Sequence, residues 1–218
     1  MPRYTRAQRA QQALASEQAA AASFPDPKSP SPIFFWREHA KNGFLSQWYH
    51  SPFYSETLRK TFTCAEQAYM YSKAIYFGDQ AIATAIMNAE TPGKQKVLGR
   101  MVEGFDEKRW DAVKFEIVVQ GSRDKFTQTV DLEERERLKR MLLNTRGREL
   151  VEASPSDRIW GIGFAAEVAE GQRANWGQNL LGKALMTARA RLREERDGIE
   201  DAAEEKGEKN HGIQEERS

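Results

Sequence analysis

The sequence has few of the residues that enzymes use for metal or nucleophilic chemistry. It contains one cysteine, Cys64, and three histidines in 218 residues. One cysteine cannot form a disulfide within the chain, which fits a reducing compartment. No Cys/His or clustered Asp spacing resembles a zinc or two-metal site. A Ser–His–Asp triad is disfavoured by the scarcity of histidine and the lack of a nucleophile-elbow motif.

Two longer patterns are also missing. No apolar run approaches the ~20 residues that span a bilayer, so we expect no membrane partner. Neither a P-loop nor the dinucleotide-binding Gly-x-Gly-x-x-Gly pattern occurs in the sequence. Any catalysis must therefore rest on carboxylates, lysines and amides, and we expect neither a metal nor a cofactor.

The length is enough for one domain of ordinary size, with ends to spare. Residues 1–32 form an Ala/Arg/Pro-rich segment that predicts a disordered tail. Residues 194–218 carry ten acidic and four basic side chains and almost no large apolar group, which predicts a disordered acidic tail. The predicted folded domain is residues 33–193.

The charge of the chain is unevenly distributed. The whole chain carries +1 and residues 194–218 carry −6, so residues 1–193 carry +7, which favours anionic ligands. Arg3, Arg6 and Arg9 lie in an Ala-rich context that suggests either an organellar transit peptide or a disordered tail. We expect an intracellular protein, cytoplasmic or nuclear, with a mitochondrial location as the alternative.

Periodicity predicts more helix than strand. Alternating aromatic and polar residues from Phe44 to Phe62 predict short antiparallel strands, and Leu150–Ala153 and Trp160–Phe164 are further strand candidates. A capping-box pattern at Thr63–Glu66 predicts a helix start. Helical spacing and breakers predict six helices, over residues 63–77, 79–89, 93–102, 106–127, 131–143 and 180–193.

Glu66 and Lys73 form the sharpest candidate pair. Seven residues of helix are about two turns, so both side chains leave nearly the same face, ~10 Å apart, with Tyr69 and Met70 between them. That distance is too long for an i,i+4 ion pair and suits the two sides of a bound ribose. Alternatively, Glu66 is the acid of the capping box and Lys73 is solvated.

Two stretches, residues 152–163 and 176–182, combine tryptophan, glycine and short acids or amides. Glycine lets a backbone approach a ligand, and tryptophan offers a flat apolar face with one donor. The combination suits a nucleotide or ribosyl ligand. The alternatives are a turn-forming role for Asp157, core positions for the tryptophans, and an N-cap role for Asn179.

Two residues of the longest predicted helix have alternative interpretations as well. Trp110 is expected in the core rather than against a ligand. Lys125 could place a cation near a phosphate, although a surface lysine is the favoured interpretation.

These segments resemble NADAR domains, also called YbiA-like, in their order and spacing. The resemblance covers roughly Ile33 to Arg193 and rests on the segments at residues 44–49, 65–74, 98–100, 152–163 and 176–182. It implies an α+β fold, a single mostly helical domain with a small antiparallel sheet. It also implies a hydrolase of N-glycosidic bonds.

The resemblance implies two substrate classes. One is ADP-ribose linked to guanine in nucleic acid or nucleotides; the other is a ribosylamino-pyrimidine phosphate of riboflavin synthesis. A hypothesis of another class is a reader that binds ADP-ribose or NAD-like ligands without turnover. Nucleic acid is a possible partner, and we expect a monomer.

Site residues follow from the matching positions. The family usually has Asn where this chain has Gln47, whose extra methylene leaves room for the reader hypothesis. The expected catalytic residues are Glu66, Lys73 and Asp157. The expected substrate-binding residues are Ser46, Gln47, Tyr69, Arg100, Trp160, Gly161, Gly163, Trp176 and Asn179.

Overall fold

The computed structural model describes residues 31–215, and for residues 198–215 it describes only the backbone. The N-terminal tail expected over residues 1–32 therefore lies almost wholly outside the described residues. None of the helices within residues 31–215 has the length and apolar character of a membrane span.

Four short strands form two separate two-stranded sheets. β1 (Ile33–Phe35) pairs in parallel with β4 (Leu150–Glu152), and β2 (Phe53–Ser55) pairs antiparallel with β3 (Lys60–Phe62). The antiparallel pair confirms the later half of the predicted Phe44–Phe62 region, whereas Phe44 lies in a 3-10 turn. The sequence did not predict the parallel pairing, because it joins segments far apart along the chain.

The helices dominate the fold, which confirms the mostly helical α+β class. Three of them begin after N-caps, Asp79, Thr91 and Asp131, whose side chains accept backbone N–H groups. The helices are α1 (Ala65–Phe77), α2 (Gln80–Asn88), α3 (Pro92–Arg100), α4 (Glu107–Asp111), α5 (Lys114–Thr127), α6 (Leu132–Asn144), α7 (Ala166–Ala169) and α8 (Leu180–Glu215), and 3-10 helices cover Gly43–Leu45 and Glu170–Asn175.

Two of the predicted helices end differently in the structure. The helix predicted over residues 106–127 is divided into α4 and α5 by Val113, whose backbone leaves helical geometry (φ −127°, ψ −22°). The division lets α4 direct Trp110 toward Tyr69 while α5 packs on α8. The last helix continues to Glu215 instead of ending near Arg193, since many of the residues that follow are Glu, Lys, Arg and Ala, which have high intrinsic helix propensity.

The predicted capping box is also wrong. α1 begins one residue later than expected, with Cys64 in the N-cap position and no side-chain cap. Gln67 rather than Glu66 turns back, and its Oε1 accepts the N–H of Thr63 at 2.8 Å. Glu66 is therefore not engaged in capping the helix.

The candidate strand at Trp160–Phe164 is an irregular segment. Its backbone cannot pair as a strand, because its carbonyls satisfy the first N–H groups of α8. The pairs are Asn179 N with Gly161 O (3.2 Å), Leu180 N with Ile159 O (3.1 Å) and Leu181 N with Trp160 O (3.0 Å).

Two apolar clusters make up most of the core. One joins β1, β4, α5, α6 and α8, and includes Phe126, Leu142 and Leu185. The other joins β2 and β3 with α1 and α2. Tyr69 of α1 packs against both clusters, so its face of α1 lies at the boundary between them.

Candidate active site

A cavity of about 890 Å³ opens at this boundary. Its walls are residues 36–48, one face of α1, the end of α3, and the segment that follows β4. The structure brings eight of the twelve predicted site residues to the lining: Ser46, Gln47, Glu66, Tyr69, Lys73, Arg100, Asp157 and Trp160. Residues distant along the chain thus meet in one hollow.

Glu66 is a buried acid in this lining. Burial raises the pKa of its carboxyl to about 7, against opposing effects of Lys96 and of a hydrogen bond from the Trp48 side chain. The Asp157 carboxylate raises the pKa of Glu66 further. Glu66 Oε1 has no hydrogen-bond partner among the described residues, so it is available to a ligand.

Glu152 is a second acid of the lining, partly buried, that is not among the predicted site residues. Burial, helped by the negative charges of Asp157 and Glu66, raises the pKa of its carboxyl to about 8. Its Oε2 also lacks a partner among the described residues. Alternation along β4 was the available signal, because it places Glu152 on the face of the buried Leu150.

Asp157 closes the acidic side of the cavity. Its Oδ1 accepts the backbone N–H groups of Ile159 (2.9 Å) and Trp160 (2.8 Å). Asp157 therefore forms the turn, as the alternative interpretation expected, and also lines the cavity. Two amides hold this carboxylate in one orientation.

Lys73 is the basic residue of the predicted catalytic set, and it also lines the cavity. Its Nζ donates to the Gly99 carbonyl at 2.9 Å and lies 3.9 Å from the centre of the Phe105 ring. Partial burial, followed by the positive charge of Arg100, lowers the pKa of this amine. The geometry favours a lysine that is more easily deprotonated than a solvated one.

Aromatic rings form another wall of the cavity. Tyr69 meets Trp160 edge to face, with ring centroids 5.3 Å apart, and its hydroxyl accepts the Trp110 indole N–H at 3.1 Å. Trp110 is buried, as expected of a core residue, but it also lines the cavity. The arrangement offers an apolar face for a base or sugar.

The chain matches the NADAR domain family over residues 34–193. It belongs to the NADAR family. The domain is 46% identical over 130 residues to N-glycosidase R617 of Acanthamoeba polyphaga mimivirus. The alignment covers 59% of this chain and 73% of that protein. It is 35% identical to N-glycosidase Npun_R5314 of Nostoc punctiforme, covering 59% of this chain and 72% of that protein.

Two further comparisons cover more of the NADAR domain. It is 28% identical to riboflavin biosynthesis protein VVA0006 of Vibrio vulnificus over 75% of this chain, but it spans only 39% of that protein. The NMR structure of Escherichia coli YbiA superposes with a TM-score of 0.60 at 25% identity, covering 76% of this chain and 87% of YbiA. The YbiA-like fold is thereby confirmed.

Four predicted site residues of this NADAR domain lie outside the cavity lining: Gly161, Gly163, Trp176 and Asn179. Asn179 instead holds β4, since its Oδ1 accepts the N–H of Glu152 (3.0 Å) and its Nδ2 donates to Leu150 O (2.9 Å). Trp176 donates its indole N–H to Ala169 O at 2.8 Å. Both side chains thus bond backbone groups and lie outside the cavity lining.

The two glycines are required by backbone packing rather than by a ligand. A Cβ on Gly161 would lie 2.8 Å from the carbonyl oxygen of Glu152. Gly163 has φ +77°, a left-handed conformation that favours glycine. Both glycines therefore shape the segment that presents Asp157 and Trp160.

Lys125 of this NADAR domain is not the surface lysine that the sequence favoured. Its side chain is 1% exposed, and its Nζ donates to the carbonyls of Phe44 (2.7 Å) and Ser46 (2.8 Å). Among the described residues, no group of three or more His, Cys, Asp or Glu is placed to hold a metal ion.

Proposed function

We propose that this NADAR domain is an N-glycosidase that removes ADP-ribose from guanine bases in nucleic acid or nucleotides. The observation that carries the proposal is the convergence of Glu66, Glu152, Asp157 and Lys73 on one cavity with an aromatic wall. Two relatives named N-glycosidases, each matched over about 72% of its length or more, support the same reaction type.

The carboxyl groups can divide the roles that cleavage requires. Breaking a ribosyl–nitrogen bond builds positive charge on the sugar, which a nearby carboxylate stabilises. Asp157, oriented by two amides, is suited to that role or to activating water. Glu152, with its pKa raised to about 8, holds a proton at neutral pH that it can give to the departing amine.

A second route is open when the leaving group is an exocyclic amine. The opened sugar forms an imine, and the Lys73 amine replaces the guanine amine to give a Schiff base that water then hydrolyses. Guanine leaves with its amino group restored, and lysine is regenerated. The lowered pKa of Lys73 supports this route.

The proposed function is tested by incubating the full chain with ADP-ribosylated guanosine and measuring free ADP-ribose. We expect turnover, and a loss of ~10²-fold or more in rate for Glu66→Gln and Asp157→Asn. Tight binding without release would instead identify a reader. A folded variant with near-normal turnover would remove that residue from the mechanism.

Borohydride distinguishes the two routes. If Lys73 forms a Schiff base, reduction during turnover attaches ADP-ribose covalently to the wild-type chain, and Lys73→Met prevents the attachment. Tryptic mass spectrometry locates the adduct. A wild-type enzyme that turns over and never traps would exclude the lysine route and leave the oxocarbenium route.

Hydrolysis of a ribosylamino-pyrimidine phosphate is the second candidate, favoured by the 75% of this chain that aligns with the Vibrio vulnificus riboflavin biosynthesis protein. A panel comparing that substrate with guanine-linked ADP-ribose in DNA and RNA separates the two. A monomer suffices for either reaction, because the cavity is lined by one chain. The single cysteine fits a cytoplasmic or nuclear location.

A further inference from the structure

The Lys125 ammonium is buried beside the cavity but does not line it. No carboxylate among the described residues forms an ion pair with it. Its only described hydrogen bonds go to two backbone carbonyls, and its Nζ lies 5.2 Å from the centre of the Tyr49 ring. Burying a cation without a counter-ion is costly, so the contacts that it makes are informative.

Both carbonyls belong to one segment, residues 44–49, which we call the cavity loop. Ser46, Gln47 and Trp48 of this loop line the cavity. The 3-10 turn ends at Leu45, and residues 46–49 belong to no described strand. The ends of the loop are anchored by Phe44 and Leu45 in the core and by the Tyr49 hydroxyl, which contacts Glu134 and Arg137. The two bonds from Lys125 Nζ tie the start of the loop to α5.

The cavity loop in turn contacts Glu66. The carbonyl of Gln47 accepts the Glu66 N–H at 3.0 Å. The Trp48 side chain is close enough to hydrogen-bond the Glu66 carboxyl. Within the loop, the Trp48 N–H donates to Ser46 Oγ at 3.2 Å. A continuous set of contacts thus joins Lys125 to Glu66 through the loop.

We propose that Lys125 is a positioning residue for the glycosidase reaction: its Nζ holds the cavity loop in the conformation in which Trp48 and Gln47 contact Glu66. The inference rests on the proposed function for its kinetic consequence. The structural coupling itself can be tested without substrate. Lys125 touches no reacting atom, so its effect must pass through the loop.

The variant is Lys125→Met, which keeps a long side chain and removes the donors. Arg189→Met is the matched control. Arg189 is also a buried cation, and it donates to the Arg148 carbonyl (3.0 Å) and to Thr145 Oγ1 (2.6 Å), away from the cavity lining. Thermal unfolding of both variants separates loss of stability from loss of positioning, and all assays run well below both midpoints.

The first readout is independent of activity. The indole N–H signals of ¹⁵N-labelled chain are recorded by NMR, and Trp48→Phe identifies the Trp48 signal. We expect Lys125→Met to shift or broaden that signal and Arg189→Met to leave it in place. A Trp48 signal that is unchanged in folded Lys125→Met overturns the proposal, whether or not the chain is a glycosidase.

The second readout is a double-mutant cycle in kcat/KM between Lys125→Met and Trp48→Phe. We expect Lys125→Met to lower kcat/KM by about 10- to 100-fold, because small misplacements are costly in catalysis. Trp48→Phe should lower kcat/KM little further when Lys125 is already replaced by Met. Arg189→Met should keep kcat/KM within about twofold of wild type. Additive losses would overturn the proposal. If the wild type shows no turnover, the proposed function fails and the NMR result alone decides this inference.

Discussion

Glu152 and Glu66 are two acids of the cavity lining with the same unusual property. Each has a carboxyl oxygen without a hydrogen-bond partner among the described residues, and each lines the same cavity. Buried polar atoms in proteins are nearly always satisfied, and exceptions point to function. After burial, the Asp157 carboxylate raises the pKa of both carboxyl groups, and Glu66 raises the pKa of Glu152 as well. Removing one carboxyl should therefore affect chemistry more than folding.

We predict that Glu152→Gln lowers kcat by about 100-fold while the melting temperature is unchanged or higher. The amide cannot donate an acidic proton, yet it costs less to bury than a carboxyl group. Steady-state kinetics and thermal unfolding measure the two effects. Glu149→Gln is the control, because Glu149 pairs with Arg173 near the surface and lies outside the cavity lining. Equal activity in both variants would contradict the prediction.

Single residues were predictable where a motif marked them. Glu66, Lys73 and Asp157 lie in the matched segments, and all three reach the cavity. Lys125 could not be predicted, because its burial depends on the loop at residues 44–49, which is distant along the chain. Asn179 belongs to a motif, but its side chain bonds β4 rather than the cavity, a choice that only the tertiary structure determines.

The contact between α8 and β4 is the element-scale feature that most affects the site. Gly182, in the first turn of α8, lies against the backbone of β4, and a Cβ there would fall 2.0 Å from the Leu150 carbonyl oxygen. A backbone atom cannot move aside as a flexible side chain can. β4 carries Glu152, so a shift at this contact would reach the cavity.

We predict that Gly182→Ala destabilises the domain by about 1–3 kcal/mol through overpacking. Gly121→Ala is a matched change within α5, where an added Cβ meets nothing within 4 Å. That control should be neutral or more stable by up to about 1 kcal/mol, since alanine favours helix. Urea unfolding measures both. Equal stabilities would show that α8 can retreat from β4 without cost.

Helices and strands were predictable where the sequence pattern that determines them is local. The helices predicted over residues 79–89, 93–102 and 131–143 form within two residues of those bounds. Their N-caps, Asp79, Thr91 and Asp131, act within one turn, so the signal is local. The break at Val113 was not predictable, since it arises where α4 and α5 pack against different partners. The irregular Trp160–Phe164 segment follows from pairing with the start of α8, which is likewise a non-local cause.

At the scale of the whole molecule, the buried ionisable groups make stability depend on pH. The folded state keeps protons on Glu66 and Glu152 up to about pH 7 and 8, while the unfolded chain releases them near the ordinary glutamate pKa of 4.5. Stability therefore falls as pH rises across this window. Lys125 acts in the opposite direction at higher pH. Its pKa is lowered from 10.5 to about 7, so stability rises above about pH 7.

We predict that the free energy of unfolding of the wild-type chain falls between about pH 5 and pH 7. The slope contributed by each acid is at most about 1.4 kcal/mol per pH unit. The double variant Glu66→Gln, Glu152→Gln should flatten this decline, because neither amide titrates. Urea unfolding at pH 5, 6 and 7 measures the slopes. Parallel slopes for the two proteins would assign the pH dependence to other groups.

The pairing of β1 with β4 affects when the domain can finish folding during its synthesis. Ile33 faces Leu150 across this pair, so the start of the domain is held by a segment far along the chain. The hollow also takes residues from Trp36 to Leu181. A nascent chain on the ribosome cannot complete it until Leu181 has emerged from the exit tunnel. Translation products that end before Leu181 therefore lack a finished hollow.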